Sequence, residues 1–221
     1  MSAILQKETK YVQSQSHRTY PENWIGDGWA AIPPEFEIIA IANSPYLNVE
    51  YADDGETITN ITTYDPEPNV EIIRDTKIEE ISAACNAAID AGTSVDLPSG
   101  TRESFTYTVA DQANISEMFT ACLAGATGYI YHENNGPCKN YPAADVVAIY
   151  GTLSMYKTGQ LTYHNQLRQF VNSLTTAEDI QTVTYGQPLI GEYLTQYNDL
   201  MAEAQTQMDA VLAKISQGMS L

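Results

Sequence analysis

Three residues of this chain have the donor chemistry for a soft metal: His132, Cys138 and His164. Zinc takes four such ligands in a structural site, or three and a water in a catalytic one. The His132–Cys138 spacing matches no standard zinc pattern, and Cys122 or Glu133 would have to complete the set. Nucleophilic catalysis needs a Ser or Cys beside a base that an acid orients. No G-x-S-x-G is present; Leu97-Pro98-Ser99-Gly100-Thr101 reads as a turn, and Cys138 with His164 is the one conceivable pair. Asp53, Asp54 and Glu56 could suggest calcium, but the ligand ladder and closing Glu of a helix–loop–helix calcium site are missing. Asp111, Gln112 and Asn114 look like a catalytic cluster, although helix capping explains Asp111 and Asn114 more simply. With 28 acids, any carboxylate pair for glycoside hydrolysis can be invented. There is no G-x-G-x-x-G and no P-loop. The expectation is a protein without catalytic residues, metal or cofactor.

Charge narrows the partners. The 221 residues carry 28 acids against 10 bases, a formal net charge of −18. Phosphates must be met by Lys and Arg, so a nucleic-acid partner is not expected. The acidity is spread over the chain rather than gathered in a tail, which favours solubility. No apolar run is long enough for a membrane span and no signal peptide is visible, so no membrane partner is expected. Three cysteines, Cys85, Cys122 and Cys138, suit a reducing compartment better than a disulfide scaffold. Tyrosine, at 15 residues against 4 phenylalanines, offers area plus a hydrogen bond, as interfaces use.

The elements that must position these residues predict an α+β protein in three parts: a β-rich N-terminal attachment region (1–75), a mixed helical middle domain (76–187) and a long C-terminal heptad helix (188–221). Residues 1–20 are polar without sustained periodicity and read as an arm that would not fold alone. Pro21 to Trp29 holds both tryptophans between glycines and prolines and reads as turns, with Trp24 and Trp29 as anchors. Residues 35–43 could be a short helix or a strand. Residues 47–51 and 57–61 alternate around Asp53-Asp54-Gly55, a hairpin signal. After a Pro-rich linker, Ile78, Ile81, Cys85 and Ile89 mark a helix capped by Asp75 or Thr76 and stopped by Gly92. Residues 105–109 read as a strand, Asp111 as the cap of the next helix, and 128–132 as another strand. Val146 to Leu174 is one kinked helix or two, interrupted at Gly159, and residues 175–187 hold a short helical piece and a turn.

The C-terminal segment is the most regular. Ile190, Leu194, Tyr197, Met201, Ala204, Met208, Val211 and Ile215 are spaced 4, 3, 4, 3, 4, 3, 4, a heptad seam. Its flanks lack complementary charge pairs, so the seam does not specify partners by ion pairs. It can pack on its own domain or gather copies, with a trimer expected; Leu194, Tyr197, Met201, Met208, Val211 and Ile215 would then carry the self-association.

Two stretches resemble a known family. Pro21-Glu22-Asn23-Trp24-Ile25-Gly26-Asp27-Gly28-Trp29, with Pro33-Pro34-Glu35 and Pro45-Tyr46, resembles the start of small phage tail proteins encoded beside fibre and baseplate genes. Residues 77 to about 187 look like a phage-associated domain of unknown function, through Lys77-Ile78, Cys85, Ala88-Ile89-Asp90-Ala91-Gly92, Leu97-Pro98-Ser99-Gly100, Asp111-Gln112-Ala113-Asn114, Tyr131-His132, Cys138, Tyr141-Pro142-Ala143 and Tyr163-His164-Asn165-Gln166-Leu167. The resemblance implies a non-enzymatic virion protein, made in the host cytoplasm and placed in the tail or baseplate, whose partners are other tail proteins. Trp24, Trp29 and Tyr46 would be docking anchors. A capsid decoration or head fibre is the alternative, and a tail-assembly chaperone a third reading. The heptad segment after residue 188 is less typical of the family.

Overall fold

A computed structural model describes residues 3–14, 28–66 and 68–218. The chain forms two compact units, Met1–Pro68 and Asn69–Leu221. Together they make an α+β protein with a β-rich N-terminal region, a mixed helical middle and a long C-terminal helix.

In the first unit, β1 (Ala3–Gln6) lies between β2 (Val12–Ser14) and β3 (Trp29–Ala31), antiparallel to both. The expectation of a non-folding arm over residues 1–20 is therefore corrected for residues 3–14. Ala3, Ile4 and Leu5 are all fully buried, so this central strand hides both of its faces. A strand covered on both sides shows no polar–apolar alternation, and three apolar residues are too few to stand out. Trp29, read as part of a turn, pairs with Gln6 as the first residue of β3.

A 3-10 turn at Pro34–Phe36 leads into α1 (Glu37–Asn43), which resolves residues 35–43 in favour of helix. The expected hairpin is present as β4 (Leu47–Tyr51) and β5 (Ile58–Thr63). Its turn is built by Asp54: Oδ1 accepts from the backbone N–H groups of Glu56 and Thr57, each at 2.8 Å, and Oδ2 accepts from the Thr57 hydroxyl at 2.6 Å. Those hydrogen bonds hold its pKa at about 2. The core of this unit joins Ala3, Leu5, Ala30, Ile32, Ala40, Leu47, Ile58 and Ile61.

In the second unit, α2 (Val70–Ala91) starts earlier than Asp75 or Thr76. Asn69 is the cap, accepting from the N–H groups of Glu71 and Ile72 at 3.0 and 3.2 Å. A polar residue just after prolines is a good cap, and the caps proposed further on fall inside the first turns. Gly92 ends the helix with φ +67°, and a Cβ there would sit 1.8 Å from the Phe105 carbonyl oxygen, so only glycine fits.

The β6 (Thr93–Asp96) and β7 (Arg102–Phe105) hairpin follows. The strand expected over 105–109 thus lies a few residues earlier, because Thr108 caps α3 (Val109–Leu123). Asp111 is the third helical residue of a reciprocal capping box rather than the cap itself. A second hairpin pairs β8 (Gly128–Tyr131) with β9 (Lys139–Pro142). No sequence pattern announces β9, since Lys139 and Asn140 are exposed and only Tyr141 turns inward.

One uninterrupted helix, α4 (Ala143–Ser173), then crosses the whole unit, so Gly159 does not break it. At ~1.5 Å per residue it is about 46 Å long. Short α5 (Ala177–Thr182) and long α6 (Gly191–Gly218) complete the chain.

Three helices run antiparallel to α4. Along α2, Arg74 bonds Leu174, Ser82 meets His164, and Tyr156 bonds Ala88. Along α3, Gln112 meets Lys157 and Phe119 stacks on Tyr150. So α2 covers the C-terminal half of α4 and α3 the N-terminal half, in line with each other. Their contact surfaces are dry: Ile115, Met118, Ile149, Leu153, Leu167 and Val171 are fully buried.

Candidate functional site

The third partner of α4 is the heptad segment. Phe170 packs edge-on to Tyr193, and Tyr163 edge-on to Tyr197. A Cβ at Gly159 would lie 3.6 Å from the Met201 methyl, and one at Gly151 would lie 3.5 Å from Leu212. As α4 advances, α6 recedes.

The side that α6 turns inward consists of its half-buried positions Tyr193, Tyr197, Met201, Ala204, Met208, Leu212 and Ile215. Their mean spacing is about 3.7, the pitch of a straight helix, whereas the heptad seam has 3.5. The two patterns agree in the middle and part at the ends. Tyr193 replaces Leu194 at the start, and Leu212 replaces Val211 near the finish. Leu194 and Val211 are left 42% and 47% exposed. Of the proposed self-association residues, Tyr197, Met201, Met208 and Ile215 therefore lie against their own chain, and Leu194 and Val211 do not.

This contact is loosely filled. No described side chain of α6 is buried. The face of α4 beneath it carries Ala144, Ala148, Gly151 and Gly159, which leaves two open grooves. One, of about 550 Å³, runs past Gly151, Met155, Met208 and Leu212 to Pro98. The other, of about 380 Å³, is walled by Tyr156, Tyr163, Tyr185 and Tyr197 with Met155 and Met201. Three of those hydroxyls are occupied within the fold: Tyr156 donates to Ala88 O, Tyr163 to Gln187 O and Tyr185 to Gln160 Oε1.

The proposed anchors lie in the first unit. Trp24 falls outside the described residues. Trp29 is half-buried in β3, and Tyr46 is exposed, edge-on to exposed Tyr64 with ring centroids 6.1 Å apart. The sequence reading missed the apolar side of α1. Ile38 is 84% exposed, and Ile41, three residues on and so on the same face, is exposed too. The run Ile38-Ile39-Ala40-Ile41 could have signalled this, because only Ala40 is needed by the core.

His132 and His164 are engaged within the fold, whereas Cys138 is an exposed free thiol. Among the described residues, no group of three or more His, Cys, Asp or Glu could hold a metal ion. His132 bonds through Nδ1 with the Glu133 carbonyl oxygen and stacks on Tyr131. Ser82 and His164 are 3.0 Å apart, but the Ser82 hydroxyl donates to Ile78 O at 2.7 Å, so its proton is directed away from the imidazole. Burial, and then the nearby Arg168 guanidinium, hold the His164 pKa below the usual imidazole range. A general base oriented by an acid would have the opposite setting. Burial pushes the Cys85 and Cys122 thiols up, which keeps them protonated.

The densest polar group ties the two hairpins together. Glu103 on β7 accepts from Thr101 Oγ1 at 2.8 Å, Lys139 Nζ at 2.6 Å and Tyr141 OH at 2.6 Å. Burial alone would raise the Glu103 carboxyl, but these donors outweigh it and hold the pKa low. Burial and the same carboxylate push the Tyr141 phenol well up. Asp111 is likewise held low despite its burial, by Thr106, Thr108 and Tyr131. Burial and Asp111 push Tyr131 up to about 12. Both carboxylates have their oxygens occupied by internal donors, the signature of a structural acid.

The family comparison falls on this second unit. Residues 72–184 match the domain of unknown function DUF4376, and the chain belongs to the family that carries it. No curated protein and no solved structure matches the chain. The matched segment includes α2, both hairpins, α3, α4 and α5, and stops before α6.

Proposed function

We propose that this is a non-enzymatic structural protein of a phage virion that joins or supports fibre or receptor-binding components at the tail or baseplate. The observation that carries this reading is the finish of the first unit. A unit of 68 residues keeps Ile38, Ile41, Tyr46 and Tyr64 at its surface while its small core is closed without them. Surface aromatic and aliphatic side chains beside an internally satisfied core suit docking on another protein. The second unit, with Glu103 and Asp111 occupied by internal donors, serves as platform, and α6 serves to gather copies.

Immunogold labelling of intact particles tests the reading. Gold at the tail tip is expected. Gold over the head would replace it with a capsid decoration, and complete particles without gold would overturn a virion role. Ile38→Asp with Ile41→Asp is expected to abolish incorporation while leaving the fold intact, since both side chains are exposed.

A further inference from the structure

We infer that the small-residue face of α4 is a helix-docking site which accepts α6 from a second copy of this chain as well as from its own, so that copies are joined by exchange of α6. The inference rests on the self-association reading above and specifies the surface that would carry it.

Four observations converge. First, the family-matched segment 72–184 ends before α6, so α4 presents this face to an element that is not part of the matched domain. Second, the link between the buried Leu189 and α6 is short and open. Leu189 is buried with Ile180 and Val183, whereas Ile190 is exposed and Gly191 opens α6 with φ +57°. A swivel there needs only the Ile190–Gly191 backbone to turn, and glycine permits that at little steric cost. Third, α6 has no buried described side chain, and two grooves flank its contact with α4. Lifting it off uncovers half-buried side chains, with Tyr193, Tyr197 and Ile215 at the margins of the core clusters, but no fully buried one of α6. Fourth, the residues nearest the swivel, Ile190 and Leu194, are exposed apolar groups on the closed chain. Where chains cross in an exchanged assembly, those residues from neighbouring copies meet and lose their exposure.

Closed and exchanged forms share every contact between α4 and α6. Their balance is therefore set by the swivel, by the new contacts at Ile190 and Leu194, and by protein concentration. Exchange in a ring of two or three copies satisfies every α4 face, so the assembly closes.

The test uses the full chain with Cys138→Ser as background, because Cys138 is the exposed native thiol. One preparation carries Gly159→Cys and a second carries Met201→Cys, positions that face each other across the contact. The two are mixed at high concentration, incubated and treated with a short bis-maleimide. The expected result is a covalent dimer from the mixture, at several times the yield of either preparation alone and of a control pairing Gly159→Cys with the exposed Gln207→Cys. A chain carrying both Gly159→Cys and Met201→Cys, which links within itself when dilute, proves that the reagent spans the contact. If that chain links internally while the mixture gives only the control yield, exchange is refuted. Light scattering then separates the two ideas: an oligomer without cross-chain linkage refutes exchange and leaves self-association to another surface, whereas a monomer at high concentration refutes both.

Discussion

The two sides of α4 are built to different standards. Toward α2 and α3 it presents Ile149, Leu153, Leu167 and Val171, all fully buried. Toward α6 it presents Ala144, Ala148, Gly151 and Gly159, with the rings of Tyr163 and Phe170 only toward its C-terminal end, and the helix it meets has no buried described side chain. Side-chain volume explains the difference. Branched aliphatics interdigitate to native density, while glycine and alanine let a helix approach but provide few atoms to hold it. One helix thus serves as the spine of a core and as the floor of a detachable contact.

Truncation should separate the sides most strongly. Leu153→Ala is expected to lower stability by about 2–5 kcal/mol, the range for a buried leucine. Met208→Ala, on the loose side, should cost no more than about 1 kcal/mol, since the side chain is only half-buried and borders a groove. Urea unfolding of both variants gives the comparison, and equal losses would break it.

The polar group between the hairpins comes next. Tyr141→Phe removes one of three donors to a buried carboxylate and should cost about 1.5–3 kcal/mol. Because the Glu103 pKa is lower in the folded chain than in the unfolded one, its contribution is present above the ordinary carboxylate range and is lost as pH falls through the folded value. Urea midpoints between pH 7 and pH 3 should therefore fall in the native chain, and fall less steeply in Glu103→Gln.

A smaller effect of opposite sign tests the loose side directly. Gly151→Ala places a methyl in ordinary contact with Leu212 and restores helix propensity, for a gain of up to about 1 kcal/mol. Its melting temperature should rise by a few degrees, and a fall would mean that α6 already sits tightly there.

The smallest effect concerns His164, where α2 meets α4. Its folded pKa lies below the unfolded value, so stability present above the normal imidazole range declines as pH falls through it. An NMR titration should find the His164 midpoint below the usual imidazole range.

How much of this was legible in the sequence follows from the physics of each element. The hairpin at 47–63, the helices and the stop at Gly92 were readable because half-buried elements alternate or repeat and left-handed turns demand glycine. β1 was not, since a strand buried on both faces carries no pattern, and β9 was not, since one inward tyrosine makes no period. The seam of α6 was legible as a helix face but not as to its partner. Heptad and straight-helix spacings coincide at Tyr197, Met201, Ala204, Met208 and Ile215, and Ile190, Leu194 and Val211 tell them apart. The family resemblance anticipated the domain over 72–184 without fixing what the domain binds.

The antiparallel course of α6 has a mechanical consequence. Its C-terminal part lies near the start of α4, with Ile215 packed on the cluster that contains Ala143 and Val146. A load drawn along the helix axis from that end must slide every contact at once, whereas a load drawn sideways parts them one turn at a time. The same joint therefore resists axial tension well and yields to lateral force.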